Sequence, residues 1–485
     1  MVDVSFPAVR TPLALPRSGL AAVAFIAAWT IAFGWPLLRL EGLDDAFFSE
    51  AAHMWTQGRP PYLAAFDVKP PGYFALLTLA QTVFGPSIQT LHGLSLACNV
   101  VSGGSLYALG RRLGAEAVGF AAALTFAVLA AFLLANDAYP PLVAITTLAF
   151  LAALSPGGAA LSGLACGAAV MTKQTAVLEA TALFVFFVRR SWREAAVFVA
   201  AAALIPLGFV GYFATEGGLA EFGRQVVTDA LARPDGVERV SLATDAARLV
   251  ARLGWLGLVP LLAAIGAMRA RVLLPSTAQA DLLASWTAAA FLGLAIQHAR
   301  GLAYLGPLTP PALLLAFLFA ERGLGANGAT LKIAAVALSA VAAAFPLRAA
   351  AVRRPADFAA TAQGAALIEA AHPAPGDRLL ALDFGGWLHI ATNLAPPTAY
   401  FHRMHLLCRF PDAGPPRLAE ALAQKPRFVV VGLYRGQRTA CDEGPSGWPL
   451  ADAALQADYR EIGHIKGETD DLTLYERKTP YENKP

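Results

Sequence analysis

The chain has 485 residues, of which 56% are hydrophobic and only 15% are charged. A soluble protein of this length could not bury so much apolar surface, so the composition indicates a polytopic membrane protein. The formal net charge of +3 says little about partners, because arginines in a membrane protein mostly report which loops face the cytoplasm. Nothing in the composition favours nucleic-acid binding.

Eleven apolar segments are separated by charges or by Pro/Gly clusters, and each predicts a membrane-spanning helix. Arg111-Arg112 and the later arginine clusters all fall on one side, as cytoplasmic loops should, if helix 72–84 does not cross. This arrangement predicts a cytoplasmic N-terminus and places the loop after the first span, and everything after Arg348, outside. The predicted spans are 19–38, 88–109, 115–134, 140–154, 158–172, 175–188, 195–213, 251–268, 281–297, 302–320 and 329–346.

The loop after the first span, residues 39–87 (loop 1), is the most polar stretch in the first third of the chain. Its acidic pair, Asp44-Asp45, precedes a predicted helix that Gly58 ends, and either carboxylate is suited to cap that helix. A second helix is predicted over 72–84. It reaches roughly 20 Å against a hydrocarbon core of about 30 Å, so we expect it to lie on or dip into the membrane without spanning it.

The C-terminal third has the character of a soluble α/β domain, which divides the chain into a membrane domain, 1–350, and a domain of 351–485. The topology places this second domain outside the cytoplasm. Cys408 and Cys441 lie in it, and two interpretations stay open, a disulfide bond and two unpaired thiols. The predicted strands are 378–383, 428–433, 460–465 and 472–477, with helices over 357–371 and 417–424.

Several ionisable groups converge on the outer face. Each has a plain structural interpretation, since an Asp before a helix is most often a cap and a Lys at a helix end most often reaches toward lipid head groups. Together they place carboxylates and cations on one membrane face beside an interfacial helix pair, which suits an anionic lipid-linked substrate. The groups are Asp44, Asp45, Lys69, Asp137, Lys173, His298 and Arg300.

Loop 1 resembles the first extracytoplasmic loop of the C-type (GT-C) glycosyltransferases of the protein O-mannosyltransferase and lipid A aminoarabinose transferase type. The sequence DDAFFSE at 44–50 looks like their acidic pair followed by an aromatic residue and Ala-Glu, and KPPGY at 69–73 resembles their Lys-Pro-Pro segment. Val68 stands where some members carry Glu, which argues against a metal site of that kind. The resemblance covers about residues 20–320, and its later matches are Asn136-Asp137, AVMTK at 169–173 and RGLAYLGPLTPP at 300–311.

The resemblance implies a GT-C-like fold of about eleven transmembrane helices with interfacial helices, in a multi-pass protein of the inner membrane with a periplasmic C-terminal domain. It also implies inverting transfer of a sugar from a polyprenyl-phosphate donor to an acceptor at the outer face. A lipid, a glycan and a protein hydroxyl all fit as acceptor, and membrane lipids are further partners.

The resemblance also implies roles for the site residues. Asp44 is the general base and Asp45 belongs to the same catalytic pair. Glu50 and Asp137 orient the acceptor or sugar; alternatively, Asp45 and Asp137 share a divalent metal ion with the donor phosphate if one is used. The groups expected around the donor phosphate and lipid are Lys69, Arg300, Lys173, Tyr73, His298 and Tyr304.

A transporter or flippase for a lipid-linked or anionic substrate is the alternative function. Such proteins usually bury ionisable groups near the bilayer midplane in broken helices, and they often contain internal repeats. In this sequence the charges lie at predicted helix ends and we find no convincing repeat. The transferase is therefore the favoured hypothesis.

Overall fold

The computed structural model describes residues 17–38, 44–133, 138–232, 258–274, 276–297, 302–342, 358–383, 385–407, 414–434, 447–467 and 470–478. Most of these residues are helical, and one small sheet lies near the C-terminus. The helices up to residue 229 are α1 (Arg17–Gly34), α2 (Asp45–Thr56), α3 (Pro71–Phe84), α4 (Ile88–Arg112), α5 (Glu116–Leu133), α6 (Tyr139–Ala153), α7 (Ala159–Thr172), α8 (Val177–Arg190), α9 (Trp192–Thr215) and α10 (Leu219–Gly223), which continues as a π-helix (Arg224–Asp229). The next are α11 (Leu258–Leu273), α12 (Thr277–Ala295), α13 (Thr309–Leu318) and α14 (Gly328–Ala342).

Each of the eleven apolar segments predicted from the sequence overlaps one of these helices within the described residues. By length and composition, two helices in the described part of the chain are long and apolar enough to cross a membrane, α9 (Trp192–Thr215) and the continuous helical stretch Ala303–Gly323, which contains α13. Further apolar helices among the described residues are shorter. The helical segments are therefore confirmed, and the number of membrane crossings stays a prediction.

Close packing among helices α1 to α14 relies on small residues. This is usual in membranes, where lipid provides no hydrophobic driving force for helices to associate. Gly163 and Gly167 lie one turn apart on α7, and a side chain at either would collide with the backbone of α9, at Phe198 and Ala202. In the larger helical core, the Phe150 ring stacks on that of Trp286 with centroids 4.2 Å apart.

The two helices of loop 1 form where the sequence predicts them. Helix α2 ends at Thr56, just before Gly58, and α3 runs to Phe84. One side of α3 packs on α2 and α4, and the other leaves apolar side chains exposed, as expected for a helix in contact with lipid. These exposed side chains are Leu79, Val83 and Phe84, with exposures of 64%, 65% and 77%.

The C-terminal residues 358–478 (the α/β region) contain a four-stranded sheet in the order β1-β2-β4-β3. Strands β1 and β2 are parallel, and the other pairs are antiparallel. The strands are β1 (Leu379–Asp383), β2 (Phe428–Tyr434), β3 (Tyr459–Lys466) and β4 (Asp470–Arg477), and the helices are α15 (Phe358–Ala370), α16 (Trp387–Thr392), α17 (Arg403–Leu406), α18 (Gly414–Ala423) and α19 (Trp448–Asp458).

Strands β1 and β2 are buried on both faces of the sheet, and side chains that alternate along each strand enter different hydrophobic clusters. Leu380 and Val429 belong to one hydrophobic cluster, whereas Leu379 and Phe428 belong to another. The predicted strands are confirmed to within two residues at each end. The predicted domain boundary at residue 350, like Cys408 and Cys441, lies outside the described residues.

The α/β region contacts loop 1 directly. The backbone N–H of Phe66 donates to the carbonyl of Ala399 at 2.9 Å. The side-chain amide of Gln57 donates to Asn393 Oδ1 at 2.7 Å. Loop 1 and the α/β region therefore lie on the same side of the helices between residues 17 and 342 (the helical part).

Gly72→Ala is expected to lower the thermal unfolding midpoint of the detergent-solubilised full chain. A methyl group at Gly72 would lie 2.5 Å from the backbone oxygen of Met171, so α3 would have to move away from the end of α7. Such overpacking costs about 1–3 kcal/mol. Gly93→Ala in α4 is the matched control, because nothing lies within 4 Å of the added methyl group. Equal unfolding midpoints for the two variants would contradict this packing argument.

Candidate active site

Asp44 occupies the N-cap position of α2, but its side chain makes no capping hydrogen bond. The capping expectation is therefore wrong for Asp44, because its backbone is helical (φ −110°, ψ −1°) and N-cap residues usually adopt an extended conformation. Its Oδ1 instead lies 3.0 Å from Nε2 of His402 in the α/β region. The Asp44 side chain stays 43% exposed, so it combines a fixed partner with access to solvent.

Opposing effects set the pKa of Asp44. Burial raises the pKa, whereas the hydrogen bond with His402 and the positive charges of His402, Lys69 and Arg403 lower it, and together the lowering effects hold the pKa well below its usual range. Asp44 is therefore ionised at physiological pH and available to accept a proton. Lys69 contributes to this shift, which shows that two residues predicted for the site lie within electrostatic range of each other.

Asp45 points in another direction. Its carboxylate is buried, with Oδ2 at 3.0 Å from Nε2 of His92, which is also buried in α4. The pair holds the first turn of α2 against α4. A role for Asp45 in the reaction stays a prediction.

Glu50 is buried on the side of α2, and its Oε2 has no hydrogen-bond partner among the described residues. Burial raises the pKa of Glu50 to about 8, although the charge of Arg59 lowers it in part. Glu50 therefore carries a proton at neutral pH. The predicted role in orienting the acceptor or sugar stays a prediction.

Lys69 is held in place by neighbours on both sides. Its Nζ lies 3.6 Å from Asp67 Oδ2 and 4.5 Å from the centroid of the Phe48 ring. Its backbone N–H donates to Asp67 Oδ1, and its carbonyl accepts from the Tyr62 hydroxyl. Tyr73 is buried edge-on against the Phe48 ring, with centroids 5.3 Å apart, so it supports this corner of the site.

Lys173 lies in an aromatic setting at the end of α7. Its Nζ is 4.4 Å from the centroid of the Tyr139 ring and 5.1 Å from that of Tyr304. Gln174, the next residue, donates to the carbonyl of Val68 at 2.6 Å. The segments that carry Lys173 and Lys69 are therefore adjacent.

Three predicted site residues, Asp137, His298 and Arg300, lie outside the described residues, so their roles stay predictions. Within the described ranges, no group of three or more His, Cys, Asp or Glu side chains is arranged to hold a metal ion. Asp45, one of the two predicted metal ligands, is bonded to His92. Because Asp137 lies outside the described residues, the predicted metal site stays a prediction.

Sequence reasoning missed the residues that the α/β region brings to Asp44. These are His402, Arg403 and His405, with Asp383 behind them; Oδ1 of Asp383 lies 3.2 Å from Arg403 Nη1. The only available signal was the cluster of basic residues HRMH at 402–405 in an otherwise unassigned loop. Tyr139 was also missed, although it directly follows the segment that carries Asp137.

The buried Glu50 predicts a pH-dependent stability. Its pKa is about 8 in the folded protein against an ordinary value of 4.5, so the folded state retains a proton that the unfolded state releases. The stability that neutral Glu50 contributes is fully present below the ordinary pKa and is lost as the pH rises through about 8. Thermal unfolding of the wild type and Glu50→Gln across this range measures it, because glutamine is neutral throughout. The wild type should lose stability relative to Glu50→Gln as the pH rises, and a constant difference would contradict the assignment.

A comparison with protein families matches residues 68–212 to the family described as dolichyl-phosphate-mannose-protein mannosyltransferase. This match includes Lys69, Gly72 and Lys173. A comparison with curated proteins finds no match.

Solved structures share the fold. ArnT from Cupriavidus metallidurans bound to undecaprenyl phosphate aligns with a TM-score of 0.64 at 15% identity, over 95% of this chain and 98% of that chain. The archaeal oligosaccharyltransferase AglB from Archaeoglobus fulgidus, in complex with an inhibitory peptide and a dolichol-phosphate, aligns with a TM-score of 0.53 at 14% identity, over 86% of this chain and 69% of that chain. The family match over residues 68–212 supports the resemblance to these glycosyltransferases, and the chain shares the fold of ArnT and AglB.

Proposed function

We propose that this protein is an inverting glycosyltransferase that moves a sugar from a polyprenyl-phosphate donor to an acceptor at the outer face of the inner membrane. The observation that carries the proposal is that Asp44 and Lys69 lie within electrostatic range of each other. Asp44 is an ionised, half-exposed carboxylate that does not cap its helix, and Lys69 is a cation whose charge reaches it. This reaction needs a base and a phosphate-binding cation in one site.

We assign the donor phosphate to the part of the site formed by Lys69 and Lys173. Lys69 and Lys173 lie on adjacent segments, and both fall within the family match. Phosphate favours charge-assisted hydrogen bonds from such cations. The family description and the lipid phosphates bound to ArnT and AglB support a polyprenyl-phosphate donor here. Arg300, His298 and Tyr304 complete the proposed donor site.

The proposed reaction is a single displacement. The acceptor hydroxyl oxygen forms a bond to the anomeric carbon, the bond from that carbon to the phosphate oxygen breaks, and Asp44 takes the hydroxyl proton. The leaving group departs as polyprenyl phosphate with both bonding electrons, and attack from the opposite side inverts the anomeric centre. Because this phosphate is already a stable anion, a nearby cation suffices and no general acid is required.

A weakly basic carboxylate is adequate for this proton transfer. The acceptor oxygen becomes strongly acidic as its bond to the anomeric carbon forms, so the proton leaves late. The low pKa of Asp44 keeps it ionised until then. No step in this mechanism requires a metal ion.

The membrane arrangement supports the proposed topology. Because Asp44 contacts His402, loop 1 and the α/β region lie on one side of the membrane. That requires an even number of crossings between them, and ten of the helices that match predicted spans lie between them, α4 to α9 and α11 to α14. The arginine distribution makes this the outer side, so we assign residues 351–485 to a periplasmic domain.

Asp44→Asn is expected to reduce sugar transfer about 10²- to 10⁴-fold, which is the usual contribution of a general base. Folding should be little affected, because the side chain does not cap α2 and asparagine retains an oxygen that can accept from His402. The donor for the assay is the polyprenyl-phosphate-linked sugar that accumulates in a strain lacking the protein, identified by mass spectrometry. Turnover by the purified variant is measured with its thermal unfolding midpoint.

Two comparison variants sharpen this test. Asp458→Asn changes an exposed carboxylate of the α/β region and should retain full activity. Asp45→Asn weakens a buried contact with His92 and should lower the unfolding midpoint. Wild-type turnover by Asp44→Asn would rule out Asp44 as the base, and a wild type that transfers no sugar from this donor would refute the function itself.

A further inference from the structure

The α/β region contributes a side chain to the carboxylate of Asp44. His402 Nε2 lies 3.0 Å from Asp44 Oδ1, and the histidine side chain is only 9% exposed. An ionised carboxylate only accepts hydrogen bonds, so Nε2 carries the hydrogen and donates it. No described residue donates to the second oxygen, Oδ2. One oxygen of Asp44 is therefore held by the α/β region.

His402 is itself anchored to the sheet. The next residue, Arg403, is paired with Asp383, which is completely buried at the carboxyl end of β1. The carbonyl of His402 accepts from the backbone N–H groups of His405 and Leu406, the first turn of α17. Leu406 is buried in the hydrophobic cluster on one face of the sheet. The backbone of His402 is thus anchored in the α/β region.

His402 also makes packing contacts, which a test has to separate from its hydrogen bond. Its ring lies edge-on to Phe47, with centroids 4.9 Å apart, and at 5.0 Å from His405. A ring of similar size would keep these contacts without donating to Asp44. An amide side chain would keep the donor without the ring.

We propose that His402 is a positioning residue that holds the carboxylate of Asp44 with Oδ2 directed to the acceptor hydroxyl, so that the α/β region is an integral part of the active site. The inference rests on the proposed function, in which Asp44 is the base. The ionisable groups around Asp44 come from three parts of the chain. They are Asp45 from α2, Lys69 from loop 1, and His402, Arg403 and His405 from the α/β region.

The test compares two substitutions in the full chain. His402→Gln keeps an N–H donor at the same number of bonds from Cβ, and His402→Phe keeps the ring and removes the donor. A hydrogen bond to a charged group is worth about 1.5–3 kcal/mol, so kcat should fall roughly 10- to 100-fold in His402→Phe. It should fall by no more than about threefold in His402→Gln, and KM for the donor should change little in both variants. His464→Phe, on the exposed side of β3, is the matched control and should retain wild-type kcat.

A double mutant separates positioning from packing. If His402 acts through Asp44, adding His402→Phe to Asp44→Asn should reduce kcat no further than about twofold, because the group that it positions is already inactive. Rescue by glutamine together with this lack of additivity supports the proposal. If the kcat of His402→Phe equals or exceeds that of His402→Gln, the proposal is wrong and His402 acts through packing. The same holds if the fold-losses in kcat of His402→Phe and Asp44→Asn multiply in the double mutant. These outcomes require an active wild type, whereas an inactive wild type refutes the proposed function instead.

Discussion

The site depends on how the extended segment between α2 and α3 satisfies its backbone polar groups. Residues 60–70 form neither helix nor strand, yet most of them are buried, and a buried N–H or C=O without a partner is costly. The partners come from three separate elements: the π-helix after α10, the end of α7 and the α/β region. The contacts are Asp67 N to Gln225 Oε1, Gln225 Nε2 to the Tyr62 carbonyl, Gln174 Nε2 to the Val68 carbonyl, and Phe66 N to the Ala399 carbonyl. Lys69 is therefore positioned by the fold before any substrate binds.

This arrangement divides the candidate site into a cationic side and a carboxylate side. On the cationic side, Lys69 and Lys173 lie on two adjacent segments of the helical part. These segments pack so closely that only glycine fits at position 72. On the carboxylate side, Asp44 is fixed by His402 from the α/β region. A donor with its phosphate on the cationic side would place its anomeric carbon, which is joined to that phosphate through one oxygen, toward the carboxylate side. The geometry thus connects the packing of distant parts of the chain to one chemical step.

The sequence predicted the elements well, because apolar segments and their flanking Gly and Pro residues report helices and buried strands locally. The end of α2 near Gly58 was predicted for the same reason. The role of His402 was not found, since its partner lies 358 positions away and no local pattern encodes that contact. Asp44 shows the converse error: its position before a helix predicts a cap, but a tertiary hydrogen bond takes the place of the local one. Asp45 likewise finds its partner on another helix, His92.

The central claim is that a polyprenyl phosphate binds beside Lys69 with its reacting end toward Asp44. Electron cryomicroscopy of the full chain incubated with undecaprenyl phosphate tests it directly. The account predicts density for the phosphate within hydrogen-bonding distance of Lys69 Nζ, on the side of the helical part that carries the α/β region, and loss of that density in Lys69→Ala. Phosphate density at the opposite ends of the helices, or unchanged density in Lys69→Ala, would contradict the account.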